Sequence, residues 1–131
     1  MNKDLANKVK PSAALRAQAF TTTGIKVGLI IDTLGFESGM FEIFVGTFAT
    51  GTLDFTEIQE SDASDMSGET AIPADRLIGS VAQLAAADTV EKIGYVASKR
   101  YVRLTVTTAG TVSFVAGANS ILGDAHVEPT D

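Results

Sequence analysis

Residues Lys92–Thr108, KIGYVASKRYVRLTVTT, decide the fold. Two β-rich runs, Lys92–Ala97 and Tyr101–Thr107, flank the short polar link Ser98–Lys99. Tyr101, Val102, Leu104, Thr105 and Val106 are aromatic, aliphatic or β-branched, types that suit a pleated, half-buried surface. Val102, Leu104 and Val106 alternate with Tyr101, Arg103, Thr105 and Thr107, the period of two expected of a strand with one wet face. Lys92, Lys99, Arg100 and Arg103 fall here with no acid between them. A strand does not need these charges to fold, so the reading expects them to meet a partner.

The run KIGYVASKRYVRLTV, followed after a turn by SILGDAHVEP, resembles a family of small virion proteins of tailed bacteriophages. Its most specific part is Tyr95-Val-x-x-Lys-Arg-Tyr-Val-Arg103, with weaker support from DTLGFESGMFEIFVGT (Asp32–Thr47) and FTEIQESDAS (Phe55–Ser64). The resemblance spans roughly Ile25 to Pro129 and implies a β-sandwich or jelly-roll cement (decoration) protein. Its partners would be the major capsid protein and other copies of itself, as a trimer or dimer. It implies the capsid surface of the virion as location, after synthesis in the host cytoplasm.

The 131 residues suit one domain with a single core. Hydrophobic residues make up 45 % and mean hydropathy is positive, which argues against disorder. No apolar run reaches the roughly 20 residues that span a bilayer, and no signal-peptide core follows the N-terminal lysines. Membrane partners are therefore not expected. There is no cysteine, so neither disulfides nor thiolate chemistry are available. A net charge of −6 argues against specific nucleic-acid binding.

Working outward, Met1–Phe20 reads as a basic arm carrying Lys3, Lys8, Lys10 and Arg16, with helix formers over Ala13–Ala19. The β domain is expected over residues 21–131. Strands are expected at Thr21–Asp32, Phe41–Phe48, Phe55–Glu60, Thr111–Ala116 and Ser120–Gly123, giving an antiparallel sandwich. Ala109–Gly110 is expected to turn a hairpin. Phe44 faces opposite Phe41, Ile43 and Val45, so its strand is central or covered by a partner. Ser61–Thr70, with Asp62, Asp65 and Glu69, reads as an exposed acidic loop with little to bury. Val81–Asp88 allows a helical turn or an extended edge.

No chemistry emerges. Gly46–Thr52 has phosphate-loop glycine spacing but lacks the lysine. His126 is a lone tail histidine, and the acidic loop lacks calcium-loop spacing. The expectation is no enzyme, no cofactor and no metal. Partner contacts are assigned to Lys3, Lys8, Lys10, Arg16, Phe44, Asp62, Asp65, Glu69, Lys99, Arg100, Tyr101 and Arg103. The acidic loop of one copy would meet Arg100 and Arg103 of the next. A head-to-tail joining or minor tail ring, and a carbohydrate- or cell-surface-binding module, are the alternatives. A single-stranded nucleic-acid binder would stack bases on Tyr95 and Tyr101.

Overall fold

The computed structural model describes residues 9–125. The chain is all-β, with one 3₁₀ turn at Ala74–Arg76 and no α-helix among the described residues. Strands β1 (Lys10–Phe20), β2 (Gly24–Val27), β3 (Ile31–Asp32), β4 (Phe36–Ser61), β5 (Thr70–Ala71), β6 (Leu77–Ile78), β7 (Thr89–Tyr95) and β8 (Tyr101–Ala125) form one antiparallel sheet. Its main order is β1-β8-β4-β7-β6; β2 and β3 also pair with β8, and β5 with β4.

The architecture follows from two very long strands. β4 and β8 run antiparallel along each other from Phe36↔Ala125 to Ser61↔Tyr101. Their register slips repeatedly between Val45 and Thr52, and bulges of this kind bend a strand and sharpen its twist. Gly51 (φ +104°) and Gly110 (φ +80°) sit at this bend. A Cβ on Gly51 would come within 3.0 Å of the Val112 backbone, so side chains are excluded where the strands cross. Ala109–Gly110 was expected to reverse the chain; instead β8 continues through it without reversing. The glycine signal is real but marks a fold in the sheet, because β4 bends beside it.

The bend doubles the sheet into two layers, sandwich-like. The first layer holds β1, β7, residues 36–50 of β4 and residues 111–125 of β8. The second holds β2, β3, β5, residues 52–61 of β4 and residues 101–109 of β8. Phe41, Ile43, Val45, Ile93, Phe114, Ala116 and Leu122 of the first layer share one core cluster with Leu53, Ile58, Val102, Leu104 and Val106 of the second. The alternation read from Tyr101 to Thr107 holds: Val102, Leu104 and Val106 are buried in that core.

Residues 10–20, expected as an arm with helical turns, are instead the edge strand β1, paired with β8 from Lys10↔Leu122 to Phe20↔Phe114. Ala14, Leu15 and Phe20 are buried, and tertiary burial overrides the helix preference of the alanines. Val81–Asp88 takes the extended alternative. Leu84 exchanges two 2.9 Å backbone bonds with Leu53 and is buried.

Both open sides of the doubled sheet are tied by backbone. At one, Gly28 N–H donates to Leu104 O (2.8 Å) and Leu29 N–H to Ala14 O (2.7 Å), joining the layers through the β2–β3 link. A Cβ on Gly28 would collide with the Ala14 carbonyl oxygen and lie 2.9 Å from that of Leu104. At the other, residues 70–78 pass from β4 to β7: Ile72 N–H donates to Ile58 O, β6 pairs with Tyr95 and Gly94, and Val96 N–H donates to Arg76 O.

Candidate functional site

The candidate contact surfaces are the outer faces of the two layers. On the second layer, the strand that opened the sequence reading presents Tyr101, Arg103 and Thr107 outward, all half-buried. Arg103 donates from Nε (3.0 Å) and Nη2 (2.6 Å) to Gln59 Oε1 on β4. The hydroxyls of Thr107 and Thr56 hydrogen-bond to each other. Arg100 makes a two-pronged contact with Asp32, at 2.8 and 2.7 Å, and its guanidinium lies 5.0 Å from the Tyr101 ring centroid. The Arg100 guanidinium, with the Leu34 N–H, outweighs partial desolvation and holds the Asp32 carboxyl below its usual range. Lys99 is half-buried beside Thr33 and Tyr95.

The acidic loop adjoins this basic stretch within the same chain: Asp62 accepts from the Arg100 backbone N–H at 3.4 Å. Asp62, Asp65 and Glu69 are exposed. Asp65 accepts from both the N–H and the hydroxyl of Ser67, which lower its pKa. Met66, in left-handed backbone (φ 66°), is buried within a loop that read as having little to bury. Of the acids expected to meet Arg100 across copies, Asp62 neighbours it within one copy. Tyr95, weighed as a base-stacking platform, lies in the core stacked on Phe41 at 5.3 Å. Burial pushes its hydroxyl pKa well up.

Glu60 and Arg76 form a pair the sequence reading passed over. Glu60 is 2 % exposed and faces inward beside Ile58. It accepts from Arg76 Nη2 (2.6 Å) and Nη1 (3.3 Å), and from the N–H (2.9 Å) and hydroxyl (3.2 Å) of Ser98. Arg76 also donates to Val96 O at 2.9 Å. One carboxylate thus clamps two crossings, residues 70–78 and the β7–β8 link. Burial pushes Glu60 up, but Arg76 and Ser98 outweigh it and hold the carboxyl below its ordinary 4.5. The only available signal was Glu60 alternating in phase with Ile58, an acid on a core face.

The first layer's outer face has a different character. Register places Phe44 beside Val90, Glu42 beside Lys92 and Met40 beside Gly94, with Gly117, Asn119 and Ile121 next on β8. Ile78 (63 %) and Val90 (58 %) are strongly exposed, and Val115 also faces solvent. Phe44 is half-buried, lying over Gly117, where a Cβ would meet its ring at 3.0 Å. A groove of about 610 Å³ runs between Met40, Glu42 and Val90 on one side and residues 78–80 on the other. Lys10 and Arg16 are exposed on β1; Lys3, Lys8 and His126 lie outside the described residues. Among the described residues, no three acidic or histidine side chains converge as a metal site would need.

No protein-family model matches the chain, and no curated protein matches it. Among solved structures it is similar to the PBSX exported protein XepA, with TM-score 0.54 and 20 % identity over 93 % of this chain and 41 % of that one. It also matches the structure of infectious bursal disease virus Gx strain, with TM-score 0.46 and 14 % identity over 88 % of this chain and 32 % of that one. A third match is the CBM22-1–GH10 modules of Clostridium thermocellum xylanase 10B, with TM-score 0.41 and 15 % identity over 92 % of this chain and 27 % of that one. The chain spans less than half the length of each. The first of these likenesses identifies the fold.

Proposed function

We propose that this chain is a non-enzymatic structural protein of a phage particle, a cement protein that binds the capsid and bridges neighbouring subunits. The observation that carries the reading is a sheet layer with large apolar side chains on both faces. Phe41, Ile43, Val45 and Ile93 fill the core, while Met40, Phe44, Ile78 and Val90 of the same region point away from it. Apolar surface facing water is a standing cost, relieved when another protein covers it. The sequence resemblance to phage cement proteins and the fold shared with a phage exported protein agree with this reading.

A face of this kind supports attachment rather than turnover. The groove lining offers carboxylates, an amine and aliphatic groups but no aromatic ring on which a sugar could stack. Repeated over a shell, weak contacts by many copies add to strong retention through avidity. Quantifying the chain in purified particles against the major capsid protein tests the proposal. A simple high ratio supports cement; about a dozen copies or fewer would indicate a neck or tail ring. Absence from particles overturns the virion reading.

A further inference from the structure

We infer that the apolar outer face of the first layer is a self-interface, on which a second copy of this chain packs face to face. The two-fold axis would run along the strands, between β4 and β7. The inference rests on the reading that this face is covered by protein, and names what covers it.

The charge pattern selects the occupant. Across the middle of this face Glu42 and Lys92 stand side by side on paired strands, flanked by Phe44 and Val90 in one row and Met40 and Gly94 in the other. Rotation about the stated axis lays each copy's β4 over the other's β7. Glu42 then meets Lys92 of the second copy, and Lys92 meets Glu42 of the second copy, so two opposite-charge contacts form at once. Rotation about an axis across the strands would set Glu42 on Glu42 and Lys92 on Lys92, which like-charge repulsion disfavours. The same operation places Phe44 over Val90, apolar on apolar. One patch complementary to itself is what an isologous dimer requires.

The relief of the face also fits. Phe44 lies across Gly117, and Ile78 lies across Gly94, where a Cβ would sit 3.2 Å from that of Ile78. Both side chains therefore lie over glycines, and the groove beside residues 78–80 leaves room for side chains of the second copy in aligned sheet-on-sheet packing. With that axis the four strands β8, β4, β7 and β6 overlap; about 4.8 Å apart, over five residues of about 3.4 Å rise, they offer roughly 330 Å² per copy. That is about two-fifths of a standard interface. The dimer is accordingly weak in isolation and becomes populated where assembly holds copies close together.

Sedimentation equilibrium of the full chain, from about 1 µM to about 1 mM, tests this, with a dissociation constant in the micromolar range expected. Glu42→Lys alone and Lys92→Glu alone should each weaken dimerisation about tenfold or more, and the double swap should restore it to within about threefold. Val90→Asp should abolish the dimer at unchanged melting temperature, which separates loss of association from misfolding. A monomer throughout the range overturns the inference, as does a dimer indifferent to the single reversals or unrestored by the swap. A monomeric protein whose Val90→Asp variant leaves the particle overturns the self-interface but keeps the virion reading. An intact, swap-sensitive dimer in a chain absent from particles does the reverse.

Discussion

The two outer faces of one folded sheet differ in how they satisfy themselves. On the second layer Arg103 finds Gln59, Thr107 finds Thr56, and Arg100 finds Asp32, all within the chain. Beside them on β2, Ile25 and Val27 stay exposed, and on the first layer Val90 and Ile78 find solvent along a groove. A basic strand without acids nearby in sequence looks like a surface waiting for a partner. In three dimensions its partners arrive from strands about 40 to 70 residues away. The exposed apolar residues of the first layer draw less notice: Phe44 alone stands out in sequence, because the others alternate with core residues. Charge density is thus a poor guide to a docking surface when antiparallel neighbours can neutralise it.

The comparison breaks most completely if the layers separate. Deleting residues 1–20 removes Ala14, Leu15 and Phe20 from the core. Large buried side chains are worth about 2–5 kcal/mol each, against a total stability of about 5–15 kcal/mol. The truncated chain should show no cooperative unfolding transition by calorimetry. A truncated protein that melts like the intact one would mean that β1 contributes nothing to the core. Gly28→Ala attacks the same junction more gently. Its methyl meets two backbone carbonyls that cannot rotate away, so a loss of about 3 kcal/mol is expected in urea titration.

Glu60→Ala sharpens the contrast between inner and outer polar groups. It strips Arg76 and Ser98 of their shared acceptor and should cost about 2–4 kcal/mol. Because the folded-state pKa of Glu60 lies below its ordinary 4.5, its contribution is present above that value. It is lost as pH falls through the lower folded value. Acid titration of the intact protein should therefore show stability falling below about pH 4.5, less steeply in Glu60→Gln. Equal slopes in the two proteins would exclude Glu60 as the source.

The smallest effects on stability separate the outer faces themselves. Arg100→Ala removes a pair whose side chains are 43 % and 44 % exposed; solvent screens it, and the melting temperature should move by about 2 °C or less. Val90→Asp should be equally mild by melting temperature yet disruptive in association assays. If Arg100→Ala weakens association more than Val90→Asp does, the assignment of the docking face is reversed.

How much of this could be read from the chain follows from the range of the interactions. The β class and the inward set Val102, Leu104 and Val106 were legible because alternation is local, and so was the opposed orientation of Phe44. Gly51 and Gly110 announced special backbone, but whether a glycine reverses a strand or bends it depends on what lies alongside. Each lies beside the other strand's bend. The role of β1 was hidden because Ala13–Ala19 carries a helical preference that only its pairing with β8 overrules. Of the expected contact residues, Arg100 is exposed and Arg103 half-buried, and their intrachain partners were invisible to spacing arguments. Glu60 could not be separated from the acidic block until Arg76 was folded against it.

β8 has a further consequence, in time rather than space. It pairs with β1, β2, β3 and β4, yet it emerges from the ribosome after all of them. At about 5–20 residues per second, β1 waits several seconds as an unpaired edge before β8, its one strand neighbour among the described residues, exists. Cotranslational folding from the N-terminus is closed to this topology, and the long-range pairings predict slow refolding. A cell making many copies at once would hold a transient pool of unpaired strands. Host chaperone capacity, rather than the stability of the finished fold, would then set how fast this protein accumulates.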